Sequence, residues 1–431
     1  MAEHGEIMTE NTNNTEKCIL AAVDTGEYDV DASLDELEEL VRSDEAEAVG
    51  RVTQKRPAYD TATCMGSGRL AELCASAEQL EADLIVFDCE LTATQVRNIE
   101  NITKVRVIDR TTLILDIFAR RAVSSEGRLQ VELAQQRYRL PRLAGMGVSL
   151  SRLGGGIGTR GPGESQLETD KRHIRRRISA LESQLEEIVL RRERMRRRRK
   201  KDEVLTAAIV GYTNVGKSTL LNALTDAGVI AENKLFATLD LTSRSIELPD
   251  GRSVMLVDTV GLIRRLPHHL VEAFKSTLEE AANADILLNI IDISAPDAYE
   301  QAEVTQKLLA ELGCEGIPVI NVLNKCDKTD FADSIPCDST TVKISAKQRT
   351  GFDMLVRCIM ENLPQTSKRM KLLIPYDRQQ LIAQIRVDGR INREEYVSEG
   401  TLIDATVDIK LISTMDKYTT DMEFTADEND G

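Results

Sequence analysis

The sequence has no run of about 18 uncharged apolar residues, so no membrane-spanning helix is expected. Its eight cysteines include no CxxC pair, and its four histidines do not cluster. Free thiols in a reducing compartment are the expectation, with no structural metal cluster. The opening MAEHGEIMTE lacks the basic-then-apolar order of a secretory signal, which makes the cytoplasm the expected location.

What is present is size and uneven charge. The 431 residues call for two to four domains, and 42% hydrophobic content can fill their cores. The net charge of -16 is not spread evenly: residues 1–50 carry 15 acidic and 2 basic side chains. Residues 171–201 carry 14 basic and 4 acidic side chains. The overall acidity therefore says little about partners, whereas the basic block points to a polyanion.

Residues 1–15 read as a disordered acidic terminus. The segment after them alternates ILAAVD, RLAELCASAEQL, ADLIVFD, LTATQVRNIENI and KVRVID, strand against helix. This predicts a small α/β subdomain over 16–125. DASLDELEELVRSD adds a short helix. Gly66 and Gly68 read as a plain strand-to-helix turn. Residues 112–140 continue as helix, broken near SSEG. A dense glycine loop, GGGIGTRGPGES, opens the basic helical linker assigned to 126–203. Ile174, Ile178, Leu181, Leu185 and Ile188 follow at spacings of a helical seam. The seam is short, which favours packing on the preceding helix over an intermolecular coiled coil and predicts a monomer. A third domain spans 204–366. A small α+β appendage covers 371–422, with TLIDATVDI and KLIST as its possible strands, and 423–431 is an acidic tail.

The chemistry lies in the third domain. AAIVGYTNVGKSTLLNAL is a strand, a G-x-x-x-x-G-K-[ST] loop and a helix in the required order. Gly211, Tyr212, Thr213, Asn214, Val215, Gly216, Lys217, Ser218 and Thr219 form this phosphate cradle. Lys217 is placed to reach the β- and γ-phosphates, and the Ser218 hydroxyl to ligate Mg²⁺. VMLVDTVG supplies Asp258 for the Mg²⁺ shell and the Gly261 amide for the γ-phosphate. VINVLNKCD delivers Asn324, Lys325 and Asp327. A carboxylate at Asp327 accepts from the N1–H and amino group of guanine, donors that adenine lacks. VKISAK places Ser345, Ala346 and Lys347 at another strand end, with the Ala346 amide suited to guanine O6. The three motifs in this order predict a Ras-like P-loop GTPase domain of mostly parallel sheet flanked by helices. GTP is the substrate and GDP the product. LFATLDLTSR offers Thr238 and Thr242 as the switch threonine for Mg²⁺.

On these motifs, and on DRTTLILDIFARRA, ELAQQRYRLPRL, GGIGTRGPGESQLETDKR and DTVGLIRRLPHHLVEAFKSTLEE, the chain resembles the HflX family of ribosome-associated GTPases. The resemblance runs from about residue 60 to 375. It implies Thr238 as the Mg²⁺ ligand of the switch. It implies binding to the large ribosomal subunit, including its rRNA, and splitting or rescue of stalled or stressed ribosomes. It departs from the family at Leu262, where phenylalanine is usual, at Leu241 and at Ser165. Leu262 occupies the position where Ras-like enzymes carry the water-orienting glutamine, so slow intrinsic hydrolysis and ribosomal stimulation are expected. Asn214, with Lys217 and Gly261, is then a catalytic candidate. By resemblance it holds a K⁺ ion beside the phosphates, and the plainer reading is a hydrogen bond within the loop. The other function kept open is a nucleotide-gated RNA-binding or ribosome-assembly switch without splitting activity.

Overall fold

The computed structural model describes residues 15–150, 162–201, 204–225, 235–236, 242–267, 270, 279–330, 332–364 and 367–424. It divides into two compact units, Met1–Glu361 and Asn362–Gly431.

The first unit begins with a parallel sheet in the order β2-β1-β3-β4. Its strands are β1 (Lys17–Asp24), β2 (Glu47–Lys55), β3 (Leu84–Phe87) and β4 (Arg106–Asp109). The interior of β1 is buried throughout, as expected of a central parallel strand covered on both faces. β2 has no apolar run because it is the edge: of its residues only Val52 is buried. This explains why no strand is legible there from the sequence. Helices α1 (Val30–Ser43), α2 (Ser67–Gln79), α3 (Ala93–Thr103) and α4 (Arg110–Arg121) connect and cover the strands. Asp29 caps α1 by accepting from the amides of Asp31 and Ala32. Thr92 and Gln95 form a capping box on α3.

α4 ends at Arg121, and α5 (Ser125–Leu150) follows. α6 (Pro162–Lys201) packs against α5 within the same chain, with Leu181 fully buried. Ion pairs Arg177–Glu132, Arg137–Glu182 and Arg192–Glu126 join the two helices. The seam therefore has an internal partner.

The rest of the first unit is a six-stranded sheet in the order β10-β9-β8-β5-β7-β6. Its strands are β5 (Leu205–Gly211), β6 (Thr242–Glu247), β7 (Ser253–Asp258), β8 (Ile286–Asp292), β9 (Val319–Asn324) and β10 (Thr341–Lys343). All pairs are parallel except β6 with β7. Helices α7 (Lys217–Thr225), α8 (Ala298–Glu311) and α9 (Phe352–Asn362) belong to this layer. β5 is central and wholly buried. Its C-terminal end, with those of β7 and β9, opens on one edge, where ligands of open α/β sheets bind.

The second unit is an antiparallel sheet in the order β11-β13-β12, built from β11 (Ser367–Ile374), β12 (Gly389–Val397) and β13 (Gly400–Asp408). Helices α10 (Gln379–Asp388) and α11 (Ile409–Met415) pack on it around Leu372, Ile385, Ile403 and Met415. KLIST is thus helix and not strand. The Asp408 carboxylate accepts from the Lys410 amide at 2.7 Å and starts a helix where the sequence continues to look strand-like.

Candidate functional site

β5 runs into the loop GYTNVGKS at a glycine that the backbone demands. Gly211 has φ +145°, and a Cβ there would lie 2.5 Å from the Ile290 carbonyl oxygen on β8. Gly216, at φ +97°, faces a tighter limit: a Cβ would meet Nδ2 of Asn324 at 2.4 Å. Asn214 between them is left-handed at φ +61°. Alternating handedness of this kind turns successive amides toward one concavity.

Lys217 opens α7 with its side chain folded back over the loop. Its Nζ donates to the carbonyl oxygens of Tyr212 (2.7 Å) and Gly211 (3.2 Å). Burial pulls the ammonium down to about 8, and the charge of Asp258 opposes the shift. Ser218 donates from Oγ to Oδ2 of Asp258 at 2.7 Å, so β7 and α7 bring a hydroxyl and a carboxylate together. Gly261 lies directly above the loop: a Cβ there would sit 2.6 Å from Cγ2 of Thr213 and 3.1 Å from Nζ of Lys217. The next residue, Leu262, is buried. Its amide donates to Gly211 O at 3.2 Å, and its carbonyl accepts from the Thr213 amide at 2.8 Å. Thr238 lies outside the described residues. Among the described residues, no group of three or more His, Cys, Asp or Glu could hold a metal by itself. An Mg²⁺ site whose other ligands come from phosphate does not need one.

The residues predicted to read the base converge on the same loop. Asn324, buried at the end of β9, donates from Nδ2 to Val215 O at 2.7 Å. Its Oδ1 accepts from the Ala346 amide at 3.0 Å. One side chain thus holds the phosphate loop and the SAK turn together. Lys325, left-handed at φ +64°, donates to Asn214 O at 2.8 Å and pairs with Asp292 at 2.6 Å. Asp327 is exposed and accepts from the Ser345 hydroxyl at 2.6 Å, a bond that holds its carboxyl below the usual range. Ser345 and Ala346 are buried, whereas Lys347 is exposed.

Several residues at this site have no signature in the sequence. Asp292 fixes Lys325 from the end of β8, and its other oxygen accepts from the amide and hydroxyl of Ser294. The small sheet contributes Glu36, whose carboxylate accepts from the Tyr212 hydroxyl at 2.7 Å and pairs with Arg110 at 2.7 Å. Burial raises Glu36 above the ordinary carboxylate range. Asp88 pairs with Arg110 at 2.9 Å and with Arg265 at 2.7 Å. The Arg265 guanidinium stacks 3.8 Å from the centre of the Tyr28 ring. The Arg264 amide donates to the Tyr212 hydroxyl at 2.7 Å, and Arg264 O accepts from Arg110 at 3.2 Å. The segment after Gly261 is therefore gripped by the phosphate loop on one side and by the small sheet on the other. These partners lie some 150 to 180 residues apart in sequence, beyond the reach of local pattern.

A buried asparagine tying the glycine-rich loop to the turn at Ala346 suits one ligand that spans both, and the class this arrangement fits is the P-loop GTPases. Three family descriptions match in order: GTP-binding GTPase N-terminal over residues 31–119, GTP-binding GTPase Middle Region over 121–199, and 50S ribosome-binding GTPase over 206–325. The GTPase HflX of Caldanaerobacter subterraneus subsp. tengcongensis is 48% identical over 403 residues, 94% of this chain and 94% of the relative. That of Lacrimispora saccharolytica is 49% identical, covering 93% of this chain and 95% of the relative. That of Escherichia coli K12 is 41% identical, covering 86% and 88%. The chain belongs to the HflX family of GTPases, and its reaction is hydrolysis of GTP to GDP and phosphate.

Proposed function

We propose that this GTPase acts on the large ribosomal subunit and separates or rescues stalled or stressed ribosomes. The family match over 206–325 to a 50S ribosome-binding GTPase supports the partner. The carrying observation is α6, a 40-residue helix bearing the basic block and packed against α5. A helix with that charge gains by neutralising phosphates and releasing their counterions, which makes rRNA its natural surface.

In this reading Lys217 and the amides from Asn214 to Lys217 hold the β- and γ-phosphates, with Gly261 contributing its amide to the γ-phosphate. Asp327 accepts from the guanine donors, the Ala346 amide donates to O6, and the Lys325 stem lies along the base. Ser218 and Asp258 fit Mg²⁺, because both present hard oxygen donors within one hydrogen bond of each other. Mg²⁺ supplies neutralisation of charge on the phosphate oxygens. With Leu262 where a glutamine would orient water, slow turnover by the isolated protein follows, and the ribosome is the stimulant. K⁺ held by Asn214 would supply the missing positive charge. The packing of α6 on α5 around the buried Leu181 supports a monomer.

The test is sedimentation of 70S ribosomes with the full-length protein. With GTP, the 70S peak should fall as free subunits appear, and GDP should give little splitting. Binding to the large subunit with an unchanged 70S peak would favour the assembly-switch reading instead.

A further inference from the structure

The small sheet carries a pair of thiols that the GTPase chemistry does not use. All eight cysteines are free. Two of them, Cys64 and Cys89, are buried in one core cluster with Sγ atoms 3.4 Å apart. Cys64 sits in a turn at φ +63°, locked by reciprocal backbone bonds with Asp60 at 2.8 and 3.0 Å. Gln95 and Asn98 of α3 tie that turn down through the carbonyls of Asp60 and Ala62. Cys89 follows the end of β3, and its neighbour Asp88 is the carboxylate that holds both Arg110 and Arg265. The same carboxylate accepts from Ser33 at 2.7 Å and from Tyr28 at 3.3 Å.

We propose that Cys64 and Cys89 are a modification site, a reversible disulfide formed by peroxide that acts through Asp88 on the segment after Gly261. A disulfide needs sulfurs about 2.05 Å apart, so the closing movement is roughly 1.4 Å. Closing the bond pulls on both ends, and at Cys89 the pull bears directly on Asp88, the neighbouring residue.

The chemistry balances with one peroxide. The thiolate of one cysteine attacks a peroxide oxygen and the O–O bond breaks. The departing hydroxide takes up the proton from the first thiol and leaves as water, and a sulfenic acid remains. The second sulfur attacks the first, and its own proton leaves with the sulfenic hydroxyl as a second water. Two thiols are oxidised by two electrons in total, and the peroxide is reduced by two. A reducing thiol reverses the bond by exchange. The hydrogen bond with Cys64, and then burial, push the Cys89 thiol well above the usual range. The pair is therefore poised by geometry and not by acidity.

The test uses the full-length protein, exposed to hydrogen peroxide and then alkylated and digested without reduction. A Cys64–Cys89 linked peptide, two hydrogens lighter than its parts and lost on thiol treatment, is the expected product. Cys64 and Cys89 recovered as alkylated thiols while the exposed Cys337 is oxidised would overturn the site. A second arm reads GTP hydrolysis by the protein alone. The oxidised protein should change its kcat by about fivefold or more, at the low end of coupling between distant sites. Thiol treatment should restore the rate, and the Cys64→Ala/Cys89→Ala variant should not respond to peroxide. A linked peptide with unchanged kcat would overturn the connection through Asp88. A double variant that responds like the wild type would trace the effect to other residues.

Discussion

Replacing Asn324 by alanine removes one side chain that makes two buried bonds, to Val215 O at 2.7 Å and from the Ala346 amide at 3.0 Å. Each such bond contributes about 1 kcal/mol net, and a buried partner left without one costs about 1–3 kcal/mol. The loops at Val215 and Ala346 can relax in part, so the lower half of that range applies to each, giving about 2–4 kcal/mol in all. Part of this appears as lost stability of the free protein. The rest appears in binding, because the two loops must be held in register for one nucleotide to span them. At 1.4 kcal/mol per tenfold, the full amount corresponds to a rise in Kd of roughly 30- to several hundred-fold. GTP and GDP should weaken alike, since neither bond lies on the Gly261 side of the loop. Titration of both nucleotides by calorimetry, with a urea melt of the free variant, reads the two parts. A stability loss with both Kd values within about twofold of wild type would refute the coupling of phosphate loop to base turn.

Further outcomes follow from the same geometry. Asp327→Asn should weaken GTP and relax preference toward xanthine nucleotides, read by competition titration; undiminished GTP affinity would reject the base assignment. Lys217 has its pKa lowered to about 8 in the free protein, from 10.5 when unperturbed. Triphosphate binding favours the charged form, so above about pH 8 binding takes up a proton and affinity falls as pH rises. Calorimetry in buffers of different ionisation enthalpy measures that uptake. Arg110→Met leaves buried Glu36 without its cation and Asp88 with Arg265 alone, and should cost about 3–5 kcal/mol in a denaturant melt. Neutralising Arg196, Arg197, Arg198 and Arg199 together should weaken pelleting with large subunits and flatten its salt dependence, leaving nucleotide affinity unchanged.

What the sequence makes legible is whatever is local. The strand–loop–helix of the phosphate cradle, the NKCD and SAK strand ends and the α5–α6 seam each occupy a short stretch with its own periodicity. β2 stayed hidden because an edge strand needs little apolar surface. KLIST looked like strand because a capping bond at Asp408, and not its composition, starts the helix. The grip of Glu36, Asp88 and Arg110 on Tyr212, Arg264 and Arg265 was not readable at all. It joins helices and loops that lie far apart in the chain, and charged residues at those positions look like ordinary surface. Asp292 escaped for the same reason, since its partner Lys325 lies on the neighbouring strand's end.

The most direct test of the central claim is nucleotide turnover by the full-length protein alone, with purified small subunits and with purified large subunits, using GTP and ATP in parallel. The account predicts slow GTP hydrolysis alone, marked stimulation by large subunits only, and no turnover of ATP in any arm. Equal hydrolysis of ATP, or GTP turnover indifferent to the large subunit, would contradict it.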